Sequence, residues 1–443
     1  MARFLVLLVA TACFLVPTGS PASAAPDNFS PRPGPTFNSP IGDGADKRAI
    51  FHKIIRAINS SPRRSEIKIF SWNFLTREGT DALLRAQNRG VMVRLLMDNT
   101  NNTEIPNQPF RRLKAGLHSG NRHEKRNSWA RVCNGSCRGK GGSAHAKFFM
   151  FSQSGKVRRV VMQGSANLTL ASTNNQWNDI YTHTRNKKVW KFYTRVFREA
   201  TRDRKARSPF TAVQLGTTRL MMFPLAGKKV RDPVMQLLNK VKCKNATNTP
   251  SHRTRIRIAP DVIRQDRGMD LAKKVRQLWN QGCDVRIGYT VVGITVGRML
   301  RDGGGRGPVP MKHLVQDFNG DGEFDNYFHL KSMTIVGNVG GDRSNYVMLN
   351  GSANWSGLAR ASDENLGVYW NKARTLQYQK HLDYWYTHFP ESRDDRSDRT
   401  ARVTTFPATS DQLVFGTGPD AEYESGTPYS RTGVDPYANF ELD

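Results

Sequence analysis

Residues 145 to 167 read HAKFFMFSQSGKVRRVVMQGSAN, and residues 329 to 355 read HLKSMTIVGNVGGDRSNYVMLNGSANW. His145 and His329 lie 184 positions apart, as do Lys147 and Lys331; Ser165 and Ser352 lie 187 apart, as do Asn167 and Asn354. One His-x-Lys is an ordinary occurrence in a strand. Two His-x-Lys…Gly-Ser-x-Asn units at matched positions restrict the fold to one that contains itself twice. A repeat period of about 190 residues marks a duplicated domain and not a solenoid.

The segments around each unit repeat as well. In the first half, ADKRAIFHKIIRAINSS places Ile50, Ile54, Ile55 and Ile58 on one helical face. EIKIFSWNF then reads as a strand, GTDALLRAQNRG as a helix stopped by Gly90, and VMVRLLMD as a strand. In the second half, DPVMQLLNKVKC, RTRIRIAP, GMDLAKKVRQLWNQGC and DVRIGYTVV read as helix, strand, helix and strand. Both helix–strand joints carry a Gly stop and then Val-Arg on the strand. Each unit is followed by a strand and a helix: NDIYTHT with KKVWKFYTRVFREA, and ENLGVYW with ARTLQYQKHLDYWYTHF. This alternation predicts an α/β fold, two mixed or mostly parallel sheets flanked by helices. The expected halves are residues 45–205 and 206–390. Residues 25–44, rich in Pro, Gly, Ser and Asn, read as an extended leader, and 391–443 as an acidic, disordered tail.

The chain has 443 residues, with 67 Lys and Arg against 37 Asp and Glu, a net charge of +30. The tail opposes the rest, with 11 acids against 5 bases from Glu391 onward. A field this positive attracts polyanions: nucleic acid, anionic lipid surfaces or cell-wall polymers. The start, MARFLVLLVATACFLVPTGSPASAA, has the form of a signal peptide. Arg3 supplies the charge, Phe4 to Val16 the apolar stretch, and Ala22-Ser23-Ala24 the cleavage site, so cleavage after Ala24 and secretion are expected. No later segment reads as transmembrane. With Cys13 removed, Cys133, Cys137, Cys243 and Cys283 remain. An even count in an exported chain favours two disulfides. Of three pairings, Cys133–Cys137 with Cys243–Cys283 is favoured because each closes within one half; zinc is the weaker alternative.

Residues i and i+2 of a strand point to one side, so each His-x-Lys presents an imidazole with an ammonium. Two halves related by a pseudo-two-fold would gather two His, two Lys, two Ser and two Asn around one cavity. Lys and Asn can hold the non-bridging oxygens of a phosphate, and the Ser hydroxyls can add hydrogen bonds. One His can attack phosphorus while the other protonates the leaving oxygen, and water then cleaves the phosphohistidine. Fixed cations meet the phosphoryl charge, so this chemistry requires no cofactor.

Paired HxK…GSxN units on a duplicated α/β fold resemble the phospholipase D superfamily, and the layout resembles its secreted bacterial phospholipases. The resemblance runs from about Ala45 to Phe389. It implies a monomer with one active site between the halves and a covalent phosphohistidine. It implies a site of His145, Lys147, Ser165, Asn167, His329, Lys331, Ser352 and Asn354, with His145 as nucleophile and His329 as acid/base; the residues alone do not separate the two. The family motif HxKxxxxD is broken, because Ser152 and Val336 stand at the Asp positions. The family also places an acid past GSxN to orient a His. Glu364 matches it, and its counterpart in the first half is Asn178 or Asp179.

Upstream of His329, DFNGDGEFD matches the start of an EF-hand-type calcium loop, with Gly322 for the turn. Asp317, Asn319, Asp321, Glu323 and Asp325 are the candidate ligands of a structural calcium ion. Phe328 replaces the twelfth-position Glu, and a plain Asx/Gly turn is the alternative. Arg111 to Lys140 carries nine Lys and Arg residues and either guides an anionic substrate to the cleft or is a solvated loop. Phospholipid at a membrane surface is the leading substrate, with transphosphatidylation when an alcohol replaces water. A metal-independent nuclease is the alternative, favoured by the charge and by the lack of a long apolar loop. A non-catalytic binder of anionic polymer is third, because a binder has no need of both His.

Overall fold

Helices begin where the sequence supplies a cap and an apolar stripe. The computed structural model describes residues 28–103, 107–122, 127–227, 230–318 and 324–390. Helix α1 (Gly44–Asn59) starts at Asp43, whose carboxylate accepts from the Ala45 and Asp46 amides. This satisfies N–H groups that a first turn leaves unpaired. Its buried face carries Ile50, Ile54, Ile55 and Ile58, the face read from the spacing. The other long helices are α2 (Arg77–Asn88), α3 (Gln108–Gly120), α4 (Lys187–Ala200), α5 (Gln265–Asn280), α6 (Ile294–Arg301) and α7 (Lys372–His388).

The first sheet contains β1 (Gly34–Phe37), β2 (Glu66–Phe70), β3 (Met92–Asp98), β4 (Trp129–Cys133), β5 (Phe148–Ser154), β6 (Val157–Gly164) and β7 (Asp179–His183). Their spatial order is β1-β7-β6-β5-β2-β3-β4. The second contains β8 (Thr211–Leu215), β9 (Thr218–Met222), β10 (Arg255–Ala259), β11 (Asp284–Tyr289), β12 (Met311–His313), β13 (Ser332–Val339), β14 (Asp342–Gly351) and β15 (Asn365–Trp370). Its order is β8-β9-β15-β14-β13-β10-β11-β12. The run β7-β6-β5-β2-β3-β4 is thus matched strand for strand by β15-β14-β13-β10-β11-β12. The repeat read from the motifs is a repeat of topology.

Both sheets are mixed rather than mostly parallel. Strands β2, β3 and β4 run parallel, as do β10, β11 and β12. The motif strands pair antiparallel, β5 with β6 and β13 with β14. Only residues 155–156 and 340–341 separate these strands, and a parallel pair needs a crossover of a dozen residues or so.

Each sheet buries one face under its own helices, Ile67, Ile69, Val93 and Leu95 in the first and Ile256, Ile258, Val285 and Ile287 in the second. A third cluster belongs to both halves: Phe148, Met150, Val161 and Tyr193 with Leu220, Met222, Met348 and Tyr369. The disulfides are Cys133–Cys137 and Cys243–Cys283, so these thiols are not zinc ligands. Residues 34–37, assigned by composition to a leader, form the edge strand of the first sheet against β7. No helix among the described residues is long and apolar enough to cross a membrane. The expected signal peptide and acidic tail lie outside the described residues.

Candidate active site

The two His-x-Lys segments do not lie within strands, as the i, i+2 argument assumed. Each is an extended segment entering one, 145–147 before β5 and 329–331 before β13. The physical reason is that backbone groups of these segments bond across to the opposite half. The Lys147 amide donates to Asn365 Oδ1 at 2.6 Å, and the His329 amide donates to the Trp177 carbonyl at 3.0 Å. The ammonium of Lys147 donates to the His145 carbonyl at 2.8 Å, and that of Lys331 to the His329 carbonyl at 3.0 Å. All four residues are at most 1% exposed.

The imidazoles are oriented in trans. His145 Nδ1 lies 2.8 and 2.9 Å from the two carboxylate oxygens of Glu364, in the other half. His329 Nδ1 lies 2.7 Å from Asn178 Oδ1, again in the other half. The Asn178 amide is fixed by donation to the Ser172 carbonyl and Gln176 Oε1, each at 3.2 Å. Its oxygen therefore accepts, and His329 carries its proton on Nδ1. Both Nε2 atoms are buried without a hydrogen-bond partner among the described residues.

Ser165 and Ser352 stand behind these orienting groups. Ser165 Oγ donates to Asn178 Oδ1 at 2.8 Å, and Ser352 Oγ donates to Glu364. Their oxygens accept from the Asp179 amide at 3.1 Å and the Asn365 amide at 3.0 Å. The hydroxyl protons expected to meet a phosphate are spent on the residues that aim the histidines. Asn167 Oδ1 accepts from Ser71 Oγ at 3.2 Å and the Asn73 amide at 3.3 Å, which leaves its NH₂ as the donor. The Asn354 carbonyl accepts from Arg267. The preceding glycines allow the close approach this needs. A Cβ on Gly164 would lie 2.1 Å from the Asp179 carbonyl oxygen, and one on Gly351 2.1 Å from that of Asn365.

Burial dominates the electrostatics. It pushes both imidazoles well below their ordinary value, with Lys147 and Lys331 adding to the fall at each. It raises Glu364 to about 8 against the pull of Lys147, Ser352, Lys331 and Arg267. In the empty site the His145–Glu364 pair is therefore driven toward neutral partners.

Asn178, Trp72 and Asp261 complete the surroundings. Asn178 is the counterpart of Glu364, and the neighbouring Asp179 points elsewhere, accepting from Asn350 and Tyr378, each at 2.6 Å. The Trp72 ring lies 6.1 Å from the His145 ring and 5.9 Å from Lys147 Nζ. Asp261 lies 2.8 Å from Lys331 Nζ and 4.0 Å from His329 Nε2. Sequence reading passed over Trp72 and Asp261, since a Ser-Trp-Asn and a Pro-Asp turn carry no motif.

Of the candidate calcium ligands, Asn319, Asp321 and Glu323 lie outside the described residues. Asp317 is buried, and Asp325 accepts from the Phe318 amide at 2.5 Å. Arg138, expected in a basic rim, is fully buried. It bridges Glu199 at 2.9 Å and the Phe223 carbonyl at 3.0 Å. It is a clamp between the halves and not part of a cleft mouth.

A family model described as "Cardiolipin synthase, PLD-like domain" matches residues 54–201. No curated protein matches the sequence. Among solved structures, polyphosphate kinase from Porphyromonas gingivalis is similar over 80% of this chain, at 12% identity and a TM-score of 0.52. The chain spans only 50% of that enzyme. Phosphatidylserine synthase from Haemophilus influenzae is similar over 80% of this chain and 86% of its own, at 13% identity and a TM-score of 0.50. At such identities the likeness is one of fold.

Proposed function

We propose that the chain, whose residues 54–201 match a PLD-like domain model, is a member of the phospholipase D superfamily, and that it is a secreted phosphodiesterase that hydrolyses the phosphate–headgroup ester of phospholipids through a covalent phosphohistidine. Members of the superfamily are phosphodiesterases or phosphotransferases. The observation that carries the reading is the crossed pair of imidazoles, each with Nδ1 fixed by the other half and Nε2 left unbonded.

His145 is the nucleophile. Its Nε2 lone pair forms the N–P bond as the bond from phosphorus to the headgroup oxygen breaks. The ring becomes cationic, and Glu364 on Nδ1 stabilises that charge. With the phosphate anion bound, His329 takes up a second proton on Nε2, and it passes that proton to the leaving oxygen. In the second step His329 takes a proton from water, the water oxygen bonds to phosphorus, and the N–P bond breaks. Lys147, Lys331 and the amides of Asn167 and Asn354 hold the non-bridging oxygens. An alcohol in place of water gives transphosphatidylation. The chain's own side chains carry each of these steps. A calcium ion, if held by Asp317, Asn319, Asp321, Glu323 and Asp325 as expected from the sequence, would be structural and would supply none of these steps.

Export is part of this proposal, supported by the signal-peptide pattern of residues 1–24 and by two disulfides. Two of the similar structures are named for phosphatidylserine and for polyphosphate, in keeping with an anionic phosphoester as partner. A net charge of +30 favours the second reading, a secreted nuclease.

One assay separates them. Wild type and His145→Ala are given vesicles of phosphatidylcholine, phosphatidylglycerol and cardiolipin, and in parallel plasmid and single-stranded DNA. Phosphatidic acid released by the wild type and lost in the variant is the expected result. DNA cleavage without lipid turnover overturns the phospholipase reading in favour of the nuclease. Full activity in the variant removes His145 from the chemistry.

A further inference from the structure

The duplication is broken at one turn of the site. In the first half the chain leaves β2 through Ser71-Trp72-Asn73, and an indole stands by His145 and Lys147. In the second half it leaves β10 through Pro260-Asp261, and a carboxylate stands by His329 and Lys331. Asp261 has a φ of +63°, a conformation uncommon outside glycine but tolerated by Asp. Its carbonyl accepts from the Thr290 and Val291 amides at 2.9 and 3.0 Å, which clamps the turn to the end of β11. The side chain is buried, with one oxygen 2.8 Å from Lys331 Nζ and 4.0 Å from His329 Nε2.

A buried carboxylate is out of place in a pocket built for a phosphodiester anion unless it serves the reaction. Its position relative to the rings is informative. His145 meets its carboxylate, Glu364, on Nδ1, behind the ring, so Nε2 is open to phosphorus. His329 meets an uncharged amide on Nδ1, and its carboxylate lies on the Nε2 side. Negative charge there hinders attack on phosphorus by repelling the substrate, and it favours an N–H⁺ at that nitrogen. Burial opposes protonation of His329 most, followed by the other charged groups facing it: Lys331 on its own segment, and Lys147 and His145 from the opposite half. Two further neighbours among the described residues, Asn178 and the Tyr327 ring, are neutral. Among the described residues, Asp261 is the only carboxylate within ion-pair distance of His329.

We propose that Asp261 is a positioning residue for the acid–base step: paired with Lys331 and facing Nε2 of His329, it favours, once substrate is bound, the protonated His329 that delivers a proton to the leaving oxygen. This rests on the phosphodiesterase reading above. It predicts a dependence on the leaving group. An alkyl alcohol needs the proton as the P–O bond breaks, whereas 4-nitrophenolate leaves without it.

The test compares wild type, Asp261→Asn and Asp261→Glu on two substrates. One is the alkyl diester that the wild type cleaves, phosphatidylcholine vesicles or single-stranded DNA. The other is bis(4-nitrophenyl) phosphate, read as the first-turnover burst of 4-nitrophenolate. Asp261→Asn is expected to slow the alkyl substrate by about 100-fold, the scale of general-acid catalysis, and to leave the burst within about 3-fold. Removing the carboxylate lowers the His329 pKa, so the descending high-pH limb for the alkyl substrate moves to lower pH by a unit or more. Asp261→Glu keeps the charge and restores the limb. Equal losses on both substrates with an unmoved limb overturn the proposal. A variant that does not fold leaves the wild-type profile for the alkyl substrate as the test. Burial holds His329 well below its ordinary value in the empty site, so the limb of kcat, which reports the substrate-bound enzyme, is expected above the ordinary imidazole value of about 6.5, and a kcat limb below it overturns the proposal. A wild type that turns over neither substrate refutes the phosphodiesterase reading itself, which is a different outcome.

Discussion

At the residue scale, the two histidines share a motif but not an environment. Glu364 gives His145 a carboxylate on Nδ1, and Asn178 gives His329 an amide. On the proposed mechanism, Glu364→Gln keeps the shape and removes the carboxylate that would balance the cationic ring formed when His145 is phosphorylated. Turnover is expected to fall by about 10²-fold or more with KM little changed, read in steady-state kinetics. The His-x-Lys pairs and the Ser and Asn of each unit were legible because their spacing is local and repeated. The choice between Asn178 and Asp179 was not, and the reason is geometric. Adjacent strand residues face opposite ways, so only one of the two reaches a histidine 151 positions away. Asp261 was illegible for a similar reason, because a Pro-Asp turn looks solvated until the tertiary fold buries it.

At the element scale, the order of helices and strands was readable from apolar periodicity. The direction of the motif strands was not, because it depends on turns only two residues long. The GSxN glycines belong to this scale too. Gly351 lets β14 and β15 approach until a Cβ would lie 2.1 Å from the Asn365 carbonyl oxygen. Gly351→Ala is expected to destabilise by about 1–3 kcal/mol, the cost of overpacking, and to lower activity further by shifting Ser352 and Glu364. Thermal melts alongside turnover check this, and a variant as stable and active as wild type refutes it. Arg138 also lies 4.0 Å from the buried carboxylate of Asp363 in the other half, so Arg138→Ala leaves Asp363 without its buried cation and frees the partly exposed Glu199. A loss of about 3–5 kcal/mol is expected from removing one partner of a buried ion pair, measured by urea denaturation.

At the scale of the whole molecule, the halves meet through polar groups as well as through a shared core. Gln163, Asn350, Asp179, Tyr378 and Asn365 form a continuous set of bonds across the junction. Burial raises Asp179 from 3.8 to about 6. An acid whose folded pKa lies above its unfolded one stabilises the fold most below the unfolded value. That contribution is lost as pH rises from about 4 through 6, on the order of 3 kcal/mol. Asp179→Asn is expected to flatten the dependence of Tm on pH across this window, and an unchanged slope would show that Asp179 is charged in the fold. The crossed orientation of the histidines has a larger consequence. Neither half holds a finished reagent; each carries a tool whose handle is in the other's grip. A half that folds correctly beside a misfolded partner is silent rather than partly active, so catalysis doubles as a proof of assembly. A nascent chain emerging one half at a time would carry no hydrolytic activity until its last strands had docked.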